Sequence, residues 1–187
     1  MANFNKIFED LIGLEGGYTS HELDLGGETK YGITKVVARE NGYYGDMMDL
    51  TLQEAKDIYE EKYYKNYGFD KIQNTKIAGE LFEFTVNTGR GKHAVKFLQR
   101  SYNLLNKNIQ LLEDGILGPK TAQTINSYKF YKSLYKTLNI FQGMYYIFLA
   151  EDDTEAMDAL LNHKQTPGSF RFKTFIRGWL DKRVSLN

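Results

Sequence analysis

Apolar positions recur along most of this chain at helical spacing. Phe4, Ile7, Phe8, Leu11 and Ile12 fall at i, i+3, i+4, i+7 and i+8. They draw one stripe on an N-terminal helix, with Asn3 as its cap and Gly16 or Gly17 as its left-handed stop. Thr51-Leu52-Gln53-Glu54 has the form of a capping box and predicts a helix through about Asn66, its faces set by Ala55, Ile58, Tyr59 and Lys62. Ile77, Ala78, Leu81, Phe82, Thr85 and Val86 give a further stripe that ends near Asn87-Thr88-Gly89. Ala94, Val95, Leu98, Tyr102 and Leu105 mark the inward side of a helix from about Lys92. Glu113-Asp114-Gly115 reads as a turn, and Gly118-Pro119 opens a short helix with Pro at its first position. Phe130 to Ala150 is apolar on more than one face, which places it as the central helix of a C-terminal lobe. Ser169 caps a last helix carrying Phe172, Phe175, Ile176 and Trp179.

One stretch breaks the helical period. Gly26, Gly27 and Gly32 punctuate a run with Thr29, Tyr31, Ile33 and Thr34, which predicts a short twisted hairpin within residues 18–34. Gly42, Tyr43, Tyr44 and Gly45 continue as a loose, Gly/Tyr-rich section. The expected fold class is therefore α+β and predominantly α-helical, with a small β-hairpin and no sheet of five or more strands.

A chain of 187 residues can bury a substantial core. We expect one compact unit of two packed lobes, residues 1–91 and 92–187. The formal net charge is zero, but the first lobe holds 10 Lys/Arg against 16 Asp/Glu and the second 14 against 8. That asymmetry fits mutual docking and equally fits a basic half facing an anionic polymer. A nucleic-acid partner is disfavoured, since no basic arm, zinc module or base-reading helix is recognisable. There is no cysteine, and His21, His93 and His163 lack metal-ligand spacing. No metal or cofactor is expected, and each histidine reads as a surface or hydrogen-bonded residue. No run of 18 apolar residues is present, so no membrane span is expected. Glu9 and Asp10 in the first helix are unlike a secretory signal, so synthesis in the cytoplasm and a monomeric state are the expectations.

Candidate chemistry gathers where the first helix meets the hairpin. Glu15 falls in the last turn of that helix, at the negative end of its macrodipole. With partial burial, that setting raises a carboxyl pKa and suits a general acid; a solvated terminal Glu is the plain alternative. Asp24 lies on the adjoining segment, where the Gly pair fixes its backbone, and Glu22 and Glu28 are its rivals. Two carboxylates so placed are what acid/base cleavage of a glycosidic bond requires. Tyrosines such as Tyr18 and Tyr31 offer faces and hydroxyls to sugar rings.

These residues also carry a family resemblance. Glu15-Gly16-Gly17-Tyr18, then Asp24-x-Gly26-Gly27-x-Thr29-x-Tyr31-Gly32-Ile33-Thr34, resembles the N-terminal signature of glycoside hydrolase family 108, the N-acetylmuramidases of phage endolysins and bacterial secretion-activator proteins. The likeness continues through Phe82-x-Phe84-x-Val86-Asn87-x-Gly89, Leu98-Gln99-Arg100, Asp114-Gly115-x-x-Gly118-Pro119-x-Thr121 and Phe175-x-x-Gly178-Trp179-x-x-x-Arg183. Departures are Leu25 where Pro is frequent and Gly68-Phe69 after Tyr67 where Trp is frequent. The resemblance implies a lysozyme-like fold, a catalytic acid at Glu15 and peptidoglycan glycan strands as partner. The spacing of Glu15, Asp24 and Thr29 is also similar to the Glu–Asp–Thr triad of phage lysozymes. By that likeness Asp24 holds the attacking water and Thr29 positions it. Action on the cell wall after release from the cytoplasm follows, in a prophage or secretion setting.

Three other features have two readings each. Residues 113–121 resemble the loop of peptidoglycan-binding domains, but Gly and Pro alone explain a turn there. Asn87 either lines a cleft or belongs to an ordinary helix end. Tyr63, Tyr64 and Tyr67, interleaved with Lys62 and Lys65, make a sugar platform or a packing surface. The leading function is hydrolysis of the β-1,4 bond between N-acetylmuramic acid and N-acetylglucosamine. The alternatives are a lytic transglycosylase using Glu15 alone, or a non-catalytic wall-binding or secretion-assisting protein.

Overall fold

The computed structural model describes residues 2–12, 18–19, 27–106 and 110–162. Glu15, Gly16, Gly17, Glu22, Asp24 and the expected Ser169 helix lie outside the described residues, as do His21, His163 and the side chain of Tyr18. The order of elements is α1 (Phe4–Ile12), β1 (Tyr18–Thr19), β2 (Thr29–Lys30), β3 (Ile33–Thr34), α2 (Lys35–Glu40), α3 (Leu52–Tyr59), α4 (Thr75–Thr88), α5 (Gly91–Leu105), α6 (Pro119–Asn126), α7 (Tyr131–Ala150) and α8 (Thr154–Asn162). The fold is α+β and predominantly helical, as the periodicity predicts.

Local chemistry sets the helix ends. Asn3 Oδ1 accepts the Lys6 N–H at 3.2 Å at the start of α1. Thr51 and Glu54 form the expected capping box, with Thr51 N–H donating to Glu54 at 2.8 Å and Glu54 N–H to Thr51 Oγ1 at 3.2 Å. Asn74 caps α4, which stops at Gly89 with φ +69°. Beyond α3 the chain winds on as a π-helix, Glu60–Lys65, so the helix expected through Asn66 is continuous but widened. The wide turn sends Tyr64 into the core, 4.8 Å from Phe4 between ring centroids. Tyr67 stacks on Phe69 at 5.8 Å and fills the space a Cβ on Gly91 would need. Tyr64 and Tyr67 thus make packing contacts, with Tyr64 buried.

Residues 35–40, between the hairpin and the Gly/Tyr-rich section, form α2. Thr34 accepts the Val37 N–H and caps it. The three short strands pair antiparallel in the order β1-β2-β3, Thr29 opposite both Thr19 and Thr34 and Lys30 opposite both Tyr18 and Ile33.

Helix α4 is the axis of the core. Phe82 faces Phe4, Tyr59 and Tyr64, whereas Phe84 faces Phe97 on α5 and Tyr145 on α7. The buried side chains form one contiguous cluster from Phe4 to Leu160. The pattern of α7, apolar on more than one face, predicts the central helix of the C-terminal lobe. Leu134, Leu138, Phe141 and Tyr145 are buried, but Ile140, Met144 and Ile147 on its far side are exposed. It packs by one face, against α4, α5 and α8. Among the described residues no helix is long and apolar enough to cross a membrane.

Candidate active site

Helix α1 runs alongside α4 in the same direction. Ala2 N–H donates to Ile72 O at 3.1 Å, Asn3 N–H reaches Thr75 Oγ1 at 3.4 Å, and Ile7 packs against Gly79. The end of α1 therefore lies beside the second half of α4, the half that carries Asn87. Between the two helices, and closed by Tyr135 of α7, is a groove of about 650 Å³ lined in part by Lys6, Asp10, Glu80 and Glu83.

The hairpin carries Thr29 and Tyr31, two of the residues singled out from the sequence. Strands β2 and β3 are joined by Tyr31-Gly32, with φ values of +50° and +74°. Positive φ at both positions is what a two-residue type I′ turn demands, and it matches the twist of the strands. Gly32 adopts it freely. Tyr31 does so at a cost of about 1–3 kcal/mol, a strain that persists only where surrounding contacts hold it. Here the contact is explicit: Tyr59 Oη donates to the Tyr31 carbonyl at 3.2 Å. Burial pushes the Tyr59 phenol up to about 12, with Tyr63 adding to the shift, so Tyr59 remains a donor throughout the physiological range. Its ring also packs on Phe8 of α1 at 5.7 Å and on Phe82 at 6.0 Å. One side chain thus touches the first helix, the central helix and the hairpin turn.

Thr29 and Tyr31 therefore share one hairpin, bonded to the core at its turn. Thr29 is half-buried, its hydroxyl donating to Gly27 O at 3.4 Å. The Lys30 ammonium bonds to Met48 O and lies 5.4 Å from the centre of the Tyr31 ring. Glu28, a rival for the second carboxylate, is paired with Lys35 at 3.0 Å. Asn87 is placed elsewhere: it is exposed on the last turn of α4 and hydrogen-bonded to the Tyr146 hydroxyl of α7. The left-handed stop of α4 is Gly89, so Asn87 is not its cap residue.

Glu80 is a titratable group that pattern reading missed. Burial pushes its carboxyl above the ordinary value and the Glu83 charge adds to this, while hydrogen bonds from Tyr135 and Asn139 act the other way. Its only sequence signal is a place one turn from Ile77, at the edge of a buried stripe. His93 lies in the first turn of α5. It is half-buried against Tyr145, its Nδ1 has no partner among the described residues, and burial lowers its pKa. Among the described residues no three His, Asp or Glu side chains are grouped to hold a metal.

The loop at 113–121 is held from within. Asp114 accepts from Gln99 Nε2 at 2.8 Å and from the Ile116 N–H at 2.9 Å. Gly115 turns it with φ +75°. The turn reading accounts for all of these bonds.

Two stretches of the chain match known families. Residues 8–89 match the family described as Glycosyl hydrolase 108, and residues 93–184 match the one described as Predicted Peptidoglycan domain. Among solved structures the chain is similar to Brucella abortus SagA, at 25% identity and a TM-score of 0.54, over 95% of this chain and 87% of that one. No curated protein matches. Residues 8–89 are thus similar to the glycosyl hydrolase 108 family, and residues 93–184 to a predicted peptidoglycan domain.

Proposed function

We propose that this protein is an N-acetylmuramidase, cleaving the β-1,4 bond between N-acetylmuramic acid and N-acetylglucosamine in peptidoglycan. The reading is carried by the hairpin that bears Thr29. It is fixed through Tyr31 to the helical core, and it adjoins the helix whose sequence continues to Glu15. A polar hairpin anchored to the helical core is a scaffold on which two-carboxylate glycoside cleavage can be built. In this mechanism Glu15 protonates the departing glycosidic oxygen, a step typically worth about 10²–10⁴ in rate. Asp24 takes a proton from water as it attacks the anomeric carbon, and Thr29 orients that water. Tyr18, Tyr31 and Asn87 offer polar contacts to the sugars. Residues 1–91 form the catalytic lobe and residues 92–187 the lobe that engages the wall, in a monomer released from the cytoplasm.

Purified peptidoglycan digested with the protein tests this. Mass spectrometry of the fragments should give reducing N-acetylmuramic acid ends. Anhydromuramyl ends would identify a lytic transglycosylase, and intact strands a non-catalytic wall-binding protein.

A further inference from the structure

Tyr59 is 3% exposed, and its ring contacts with Phe8, Phe82 and Tyr63 would serve equally well for phenylalanine. The hydroxyl is the atom that needs explaining. A buried hydroxyl is costly unless bonded, and this one is bonded to a carbonyl 28 residues away, on a turn residue held at φ +50°. The neighbouring residue is shaped to fit it. A Cβ on Gly32 would sit 2.6 Å from Tyr59 Oη, so glycine is required there for space as well as for φ +74°. Tyr31 is two residues from Thr29 along the same short hairpin, and Phe8 stands on the helix that leads towards Glu15. The phenol stays un-ionised far above neutrality, so the link does not titrate near working pH.

We propose that Tyr59 is a positioning residue: its hydroxyl clamps the Tyr31-Gly32 turn against the helical core and thereby holds Thr29 at the proposed reaction centre. This rests on the muramidase reading above. The clamp explains why a tyrosine tolerates a left-handed backbone at position 31. It also explains why the hairpin keeps its register with only two-residue strands.

Tyr59→Phe removes the one oxygen and leaves the ring packing. Loss of a net hydrogen bond should accelerate amide exchange in residues 30–33 about fivefold, a readout that needs no reaction. On peptidoglycan kcat should fall about tenfold or more, by a larger factor than KM rises, since Tyr31 on the same turn offers a sugar contact. In a Thr29→Ala background the same substitution should change kcat by less than about twofold, because the clamp acts through Thr29. Gly32→Ala, which displaces the hydroxyl without altering Tyr59, should show the same loss of kcat. Wild-type kcat in folded Tyr59→Phe, unchanged exchange, or a full further loss on top of Thr29→Ala each overturns the positioning role alone. Wild-type protein that leaves glycan intact overturns the muramidase reading and the positioning role with it.

Discussion

Gln99 holds Asp114 in place: its Nε2 donates to the Asp114 carboxylate at 2.8 Å while its Oε1 accepts the Gly115 N–H at 2.9 Å. The same Nε2 lies 3.1 Å from Ile116 O. A fully buried amide on α5 therefore serves as template for a loop 15 residues further on. One turn along α5, Asn103 repeats the device with Leu111, bonding both its carbonyl and its N–H. Gln99→Leu strands these partners. It should destabilise the fold by about 2–3 kcal/mol, lowering Tm by roughly 5–10 °C. Gly115→Ala should do comparable damage, since its Cβ would lie 2.7 Å from Lys92 O in a backbone already at φ +75°. Thermal unfolding measures both, and a shift under a degree in either would mean that the loop is not held this way.

Glu80 makes the fold's response to pH partly predictable. Burial raises its carboxyl pKa in the folded state, so the native protein binds that proton more tightly than the unfolded chain does. Its contribution is stabilising at acid pH and is lost as pH rises through the raised value. Glu80→Gln keeps the hydrogen-bonding shape and removes the buried charge. It should raise Tm at about pH 7, with the gain vanishing towards about pH 4, where the wild-type carboxyl is itself protonated. A variant less stable than wild type at neutral pH would contradict this.

The features legible in the sequence are those fixed by neighbours within one turn. The Asn3 cap, the Thr51/Glu54 box, the Gly89 stop and the Pro119 start each depend on residues four or fewer apart, and each is where pattern reading puts it. Two short helices escape. Six-residue α2 carries too little periodic signal, although Thr34 caps it. Helix α8 has a cap in Asp153, whose side chain accepts the Ala156 N–H, and an apolar set in Met157, Leu160 and Leu161, so its signal was readable. The remaining features depend on which distant faces meet. Tyr64 belongs to the core because the chain widens at residues 60–65, and α7 leaves Ile147 exposed because its partners take the other face. The hairpin that carries Thr29 and Tyr31 could be read from its glycine pattern. The Tyr59 bond to Tyr31 could not, since nothing local relates the two residues.

Asp24 and Glu28 can be separated by substitution. The Glu28–Lys35 pair is a partly exposed ion pair, a type worth at most about 1 kcal/mol. Glu28→Gln should therefore leave wall-clearing activity within about twofold and Tm nearly unchanged. Asp24→Asn should reduce turnover about 10²-fold or more if it is the base that prepares the water. Kinetics on purified peptidoglycan read both, and Glu28 emerging as the sensitive position would move the base to that residue.

The proposed general acid offers the most direct test. Glu15→Gln keeps the size of the side chain but has no proton to give to the leaving oxygen. Release of reducing ends from purified peptidoglycan should be measured for wild type and for this variant, with matched Tm values to certify folding. A fall in turnover of at least about 10²-fold is the predicted result; turnover equal to wild type in the folded variant would contradict the assignment of Glu15 and the mechanism built on it.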